Sequence, residues 1–83
     1  MEIVIEELFK EQFKKCTLPF QLEFRKVYQQ LKVVDKPVEV KNIIAVGYIK
    51  NYYKLTIDKS RIGMLVKSGK LHIACFLYNQ YFE

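Results

Sequence analysis

Cysteine and histidine are scarce in this chain, with two of the first, Cys16 and Cys75, and one of the second, His72. Two cysteines are too few for the disulfide framework of a small secreted domain, so both read as small buried hydrophobes in a reducing compartment. A lone histidine does not supply the ligands of a metal centre. No apolar run approaches the ~20 residues that span a bilayer. Met1–Glu7 holds three glutamates and no basic stretch, which does not read as a signal peptide. Repeats and low-complexity segments are also missing. The expectation is a cytoplasmic protein with no membrane association, no metal and no small-molecule cofactor.

What is present is enough for one core. The 83 residues are 51% hydrophobic and include six Phe and six Tyr, a content no disordered chain carries. A chain of this length buries only about 60–65% of the surface it exposes when unfolded. We therefore expect a single domain, 1–83, with a thin stability margin. A partner that binds only the folded form would widen that margin by mass action.

Acidic side chains run short in one region. Residues 1–47 hold eight Lys/Arg against seven Asp/Glu, whereas residues 48–83 hold six (Lys50, Lys54, Lys59, Arg61, Lys67, Lys70) against Asp58 and Glu83. The net charge is +1 in the first part and +4 in the second. A localised cationic surface favours a polyanion or an acidic protein as partner.

The hydrophobic period changes along the chain. Met1–Glu6 alternates and is β-branched, which predicts an opening strand. From Glu7, Phe9, Phe13 and Cys16 (or Leu8) recur at helical spacing, with Lys10, Glu11, Lys14 and Lys15 on the wet side. Those lysines read as a solvated face before they read as an RNA contact. Thr17 offers an N-cap and Pro19 suits the first turn of a second helix. Its stripe is Phe20, Phe24, Val27, Tyr28 and Leu31. Asp35-Lys36-Pro37 is turn chemistry, and Gly47 marks another bend. Beyond it, Tyr52–Ile57, Ser60–Val66 and Leu71–Tyr78 alternate as strands. Asp58-Lys59 and Lys67-Ser68-Gly69-Lys70 supply the tight turns between them. In the last strand, alternation places Leu71, Ile73, Cys75 and Leu77 on one face and His72, Ala74, Phe76 and Tyr78 on the other. The predicted fold is α+β, ordered β–α–α–β–β–β. An antiparallel C-terminal meander is joined by the first strand, and both helices pack on one face of the sheet.

The segment Tyr52-Tyr53-Lys54-Leu55-Thr56-Ile57-Asp58-Lys59-Ser60-Arg61-Ile62-Gly63 resembles the hallmark region of the RelE/ParE toxin superfamily. That family reads tyrosine, a basic residue, alternating apolar residues, a tight turn, then arginine and an apolar residue. Tyr53-Lys54 and Arg61-Ile62 stand at that separation. Lys41–Gly47 is similar to the family's lead-in, and the Ser68-Gly69 hairpin and the strand from Leu71 follow in order.

The resemblance implies a toxin of a type II toxin–antitoxin system with a cognate antitoxin protein as partner. In one branch of the family the toxin is a metal-independent endoribonuclease, an mRNA interferase that inhibits translation by cutting mRNA on the ribosome. Cleavage by a ribose 2′-OH needs a base, cations for the phosphorane and help for the leaving 5′-oxygen. By resemblance the catalytic candidates are Lys54, Arg61 and Tyr81. Lys50, Lys59 and Asn79 are the accompanying candidates for RNA contact.

The chain also departs from the family. Thr56, Cys75 and Asn79 stand where relatives often carry basic residues, and Tyr81 is about two residues from the usual C-terminal tyrosine. Two alternatives therefore stay open, a non-catalytic protein-binding toxin of the gyrase-inhibitor type and an attenuated antitoxin-binding member. Lys54 and Arg61 themselves have a plain reading as solvated cations on an open sheet face. His72 reads first as structural. Tyr52, Tyr53, Tyr78, Tyr81 and Phe82 are aromatics for a core or partner interface before they are stacking platforms for bases.

Overall fold

The computed structural model describes residues 1–78. In chain order the elements are β1 (Ile3–Ile5), α1 (Glu7–Phe13), α2 (Leu18–Val33), β2 (Ile43–Ala45), β3 (Tyr52–Ile57), β4 (Ser60–Lys67) and β5 (Lys70–Tyr78). A 3-10 turn at Pro37–Glu39 leads into β2. The strands form one sheet in the order β1-β5-β4-β3-β2. β1 runs parallel to β5, and every other pairing is antiparallel. The expected α+β architecture is present, and β2 extends the meander by one short edge strand. Its three residues, Ile43-Ile44-Ala45, are too few to announce a period, and pairing with β3 is what makes them a strand.

α1 has seven residues, too short to persist alone. Ion pairs of 3.2 Å between Lys10 and Glu7 and 3.4 Å between Lys14 and Glu11 line its wet side. Exposed pairs of this kind add little. Burial of Phe9 holds the helix instead. α2 begins as the sequence predicts, with Thr17 Oγ1 accepting the Phe20 N–H at 3.4 Å and Pro19 in the first turn. Phe20, Phe24 and Leu31 are buried, and Val27 and Tyr28 pack against the same core. At the far end of α2 the Met1 ammonium donates to the carbonyls of Leu31, Lys32 and Val34 at 3.2, 3.0 and 2.9 Å. A cation there suits the carbonyl end of a helix dipole.

The turns use the residues their backbone angles demand. Ser68 and Gly69 have φ of 53° and 75°, the pair of positive values that a type I′ hairpin turn needs. Asp58 turns the β3–β4 hairpin at φ 52°. Between β2 and β3 the left-handed residue is Asn51, φ 62°, and not Gly47. Asparagine tolerates that region because its short polar side chain can bond locally.

β5 departs from strict alternation. Met64 pairs with Ile73 but Gly63 pairs with Cys75, and Ile62 pairs with Phe76 but Arg61 with Tyr78. Ala74 and Leu77 are each one residue too many, a bulge apiece. The phase flips after Ile73, so Leu71, Ile73 and Phe76 are buried. The expectation that Leu71, Ile73, Cys75 and Leu77 share one face is thereby corrected. Cys75 and Leu77 lie on the face without helices, and Phe76 leaves the face of His72 for the core. The physical reason is aromatic packing. Phe76 stacks on Phe9 at 5.1 Å with 8° between the rings and lies 5.7 Å from Phe20. Phe9 in turn lies 5.6 Å from Phe13 and 5.0 Å from Phe24. Offset ring contacts of this kind add to what burial alone supplies. Gln12, on α1, accepts the Phe76 N–H at 2.9 Å through Oε1, so the bulged strand keeps a partner for that amide.

Candidate functional site on the open sheet face

Both helices cover one face of the sheet, and among the described residues no helix packs on the other. Leu55, Ile57, Ile62, Met64, Leu71 and Ile73 point into the covered face and are buried. Their strand neighbours point the opposite way. Register places Lys54 opposite Gly63, Thr56 opposite Arg61 and Tyr52 opposite Leu65. Lys54 and Arg61 are therefore diagonal neighbours on the open face, with backbones roughly 7–8 Å apart in such a placement. Arg61 is exposed and Lys54 half-buried. Thr56 sits beside them as a neutral hydroxyl where a third cation would make the face more basic.

Of the other expected site residues, Lys50 lies in the β2–β3 loop and Lys59 in the β3–β4 turn, both exposed. β3 separates them, so they stand at opposite ends of the face, on the order of 20 Å apart at ~3.3 Å per residue. They bracket Lys54 and Arg61 without joining them. Asn79 and Tyr81 lie outside the described residues, as do Phe82 and Glu83. The lysines of α1 belong to the helix layer, away from this face.

Gly63 is buried in the middle of the open face. A Cβ there would collide with the Tyr52 hydroxyl oxygen and meet the Leu77 side chain at 3.1 Å. The missing side chain lets Tyr52 and Leu77 lie across β4 from either side. Burial holds the Tyr52 phenol above the ordinary tyrosine pKa, and electrostatic repulsion from Cys75 and then Tyr48 adds to the rise.

Beside this cover is a hollow of about 430 Å³. Ile44, Tyr48, Ile49, Tyr52, Lys54 and Leu77 are among its lining. Tyr48 is 88% exposed, and Ile44 and Leu77 are about half exposed. Other hollows occur in the helix layer. One of about 570 Å³ runs along α2 past Leu22 and Lys26, and one of about 300 Å³ lies between Ile5, Phe13 and Tyr28. The open-face hollow is the one that adjoins the Lys54–Arg61 pair. Tyr48 carries no signal by period or motif, and Ile44 falls within the lead-in Lys41–Gly47 without being singled out by it, because both take their place from a loop and an edge strand folding against β3.

His72 lies on the open face opposite Leu65. Its Nδ1 is 2.8 Å from Glu6 Oε1, tying the end of β1 to β5. That contact fits the structural reading of this histidine. Among the described residues no three His, Cys, Asp or Glu side chains gather as metal ligands. No helix among them is long and apolar enough to cross a membrane.

No protein-family model matches this chain, and no curated protein matches it in sequence. A solved structure does. A chain of the RelB-RelE antitoxin-toxin complex from Methanococcus jannaschii superposes with a TM-score of 0.78, covering 90% of this chain and 88% of that one. The two share a fold. They are 14% identical in sequence, so the likeness carries the backbone and leaves the chemistry to the residues of this chain.

Proposed function

We propose that this chain is the toxin of a type II toxin–antitoxin pair and that its open sheet face binds and cleaves mRNA on the ribosome. The observation that carries the reading is the placement of Lys54 and Arg61 side by side on the face that no helix covers. The hallmark segment 52–63 and the fold of a chain from an antitoxin-toxin complex support it. So does the charge excess of residues 48–83.

In the cleavage step the ribose 2′-oxygen bonds to the adjacent phosphorus and the bond to the 5′-oxygen breaks. A 2′,3′-cyclic phosphate and a 5′-hydroxyl result. The 2′-OH gives up a proton to a base and the 5′-oxygen gains one. Arg61 suits the phosphorane because its planar fork donates two parallel hydrogen bonds to paired oxygens. Lys54 supplies a point charge to the same phosphate or its neighbour. Tyr81 remains the candidate for proton transfer. The antitoxin would present an acidic segment to Lys54 and Arg61, with apolar side chains beside it.

The test incubates purified protein with programmed ribosomes in EDTA and maps the RNA ends. Arg61→Ala should slow cleavage by roughly two to three orders of magnitude, the scale for one preorganised charge donor. Arg61→Lys should recover only part. Lys54→Ala should weaken binding and flatten its salt dependence by about one phosphate contact. Folded Arg61→Ala protein that cuts at the wild-type rate would sink the assignment.

A second reading, a non-catalytic toxin that blocks a protein target such as gyrase, is favoured by one feature. The open face carries exposed Ile44, Tyr48 and Leu77 next to its cations. Growth arrest by wild-type protein with no RNA cleavage would put that reading first.

A further inference from the structure

We infer that the hollow between the β2–β3 loop and Leu77 is a slot for one unstacked nucleobase of single-stranded RNA, with Tyr48 as its stacking platform. The inference rests on the RNA reading above and adds where a base goes when its phosphate meets Lys54.

The lining matches a nucleotide in two parts. Ile44, Ile49 and Leu77 give apolar walls for the flat faces of a base. Lys54 belongs to the same lining and pairs in register with Ile44, so a cationic side chain forms part of the wall and can meet the phosphate attached to a seated base. Lys50, exposed in the same loop, adds a second positive charge on the approach. At about 430 Å³ the hollow is at the small end of ligand sites, room for a base and sugar but not for a helix.

Tyr48, 88% exposed, is the least covered of the large hydrophobic side chains described on this face, and its loop backbone is nevertheless tied. Val46 N–H donates to the Tyr52 carbonyl at 2.9 Å and Ile49 N–H to the Val46 carbonyl at 3.1 Å. Asn51 closes the loop at φ 62°. With the backbone tied, only the two side-chain torsions of the ring remain to be ordered on binding, a small cost for so large a stacking area. Stacking accepts any base, because every base has a π-face. The slot therefore distinguishes a nucleotide that has a base from one that lacks it, and single-stranded RNA from a duplex whose bases are stacked away.

The test uses full-length protein and a fluorescein-labelled hexaribonucleotide with 2′-O-methyl riboses, which cannot be cleaved because no 2′-OH is free. Anisotropy titrations compare it with a hexamer abasic at all six positions. Wild-type protein should bind the abasic hexamer about tenfold more weakly. Tyr48→Ala should lose about the same factor on the complete hexamer and nothing further on the abasic one. Tyr48→Phe, which keeps the ring, should bind as the wild type does. Equal binding of both hexamers by wild-type protein overturns the slot. That arm needs no variant, so a Tyr48→Ala protein that misfolds does not protect the inference. If the slot fails in this way while Lys54→Ala still weakens binding, the RNA reading stands without it. If wild-type protein binds neither hexamer, the slot is overturned, and the cleavage assay on programmed ribosomes decides the RNA reading by itself.

Discussion

On the helix-covered face Leu55, Ile62, Met64, Leu71 and Ile73 are wholly buried, while Lys54, Thr56 and Arg61 stand one residue away in the same strands and face outward. The covered face is continuous and aromatic where β5 meets the helices. The open face mixes cations, a threonine, a glycine and partly exposed apolar rings. One side of the sheet is shaped by exclusion of water, and the other holds groups whose cost in water is low and which, under the proposed function, meet a partner. The difference teaches where stability and activity separate. A small domain has little stability to spare, and the groups that the proposed function uses sit where their removal leaves the core intact.

The sharpest way to break this comparison is to cut each face in turn. Phe9→Ala removes the ring that touches Phe13, Phe24 and Phe76. It should cost about 3–5 kcal/mol in urea denaturation, a large part of the whole stability. A loss under about 1 kcal/mol would mean that the aromatic cluster does not hold the helices to the sheet.

Arg61→Ala should show the opposite pattern. Under the proposed function its activation barrier rises by about 3–4 kcal/mol in RNA cleavage. Its unfolding free energy should change by less than about 1 kcal/mol, the usual range for an exposed side chain. A large loss of stability would move Arg61 from the functional ledger to the structural one.

Gly63→Ala probes the one close approach on the open face. The added methyl must displace the Tyr52 hydroxyl and nudge Leu77. Both are ends of side chains, so the expected cost is about 1 kcal/mol, at the low end for overpacking. Thermal melting measures it, and under the proposed slot the RNA affinity should fall with the altered hollow.

The smallest effect is a titration. Tyr52 keeps its proton to higher pH than an ordinary tyrosine, because burial disfavours the phenolate and Cys75 and Tyr48 oppose it. A raised folded-state pKa contributes stability that is fully present below the unfolded value of about 10 and is lost as pH rises through the folded value. Ultraviolet titration of the tyrosines should show a late phenol that Tyr52→Phe removes and that Gly63→Ala brings back toward the ordinary range. Loss of an ordinary phenol from the Tyr52→Phe curve would contradict the packing described for it.

Much of the fold was legible because period-two and helical spacing are local. The stripe Phe20, Phe24, Val27, Tyr28, Leu31 and the Thr17 cap are readable without knowing what they touch. The turns at Asp58 and Ser68-Gly69 are equally local. The site was legible only as residue types, since Lys54 and Arg61 lie on different strands and share a face only through the β3–β4 register. Neither Tyr48 nor Ile44 could be found that way, for a three-residue edge strand and a tied loop carry no period.

The amino-acid sequence by itself determined two amphipathic helices, the meander and the basic bias of residues 48–83, because each follows from neighbouring side chains. The tertiary structure decided the phase of β5. Two bulges carry Phe76 into the aromatic cluster and send Cys75 and Leu77 to the open face. Alternation alone assigns them the other way, and no local rule says where a strand takes an extra residue. Packing against Phe9 and Phe20, with Gln12 ready to accept the Phe76 amide, settles it.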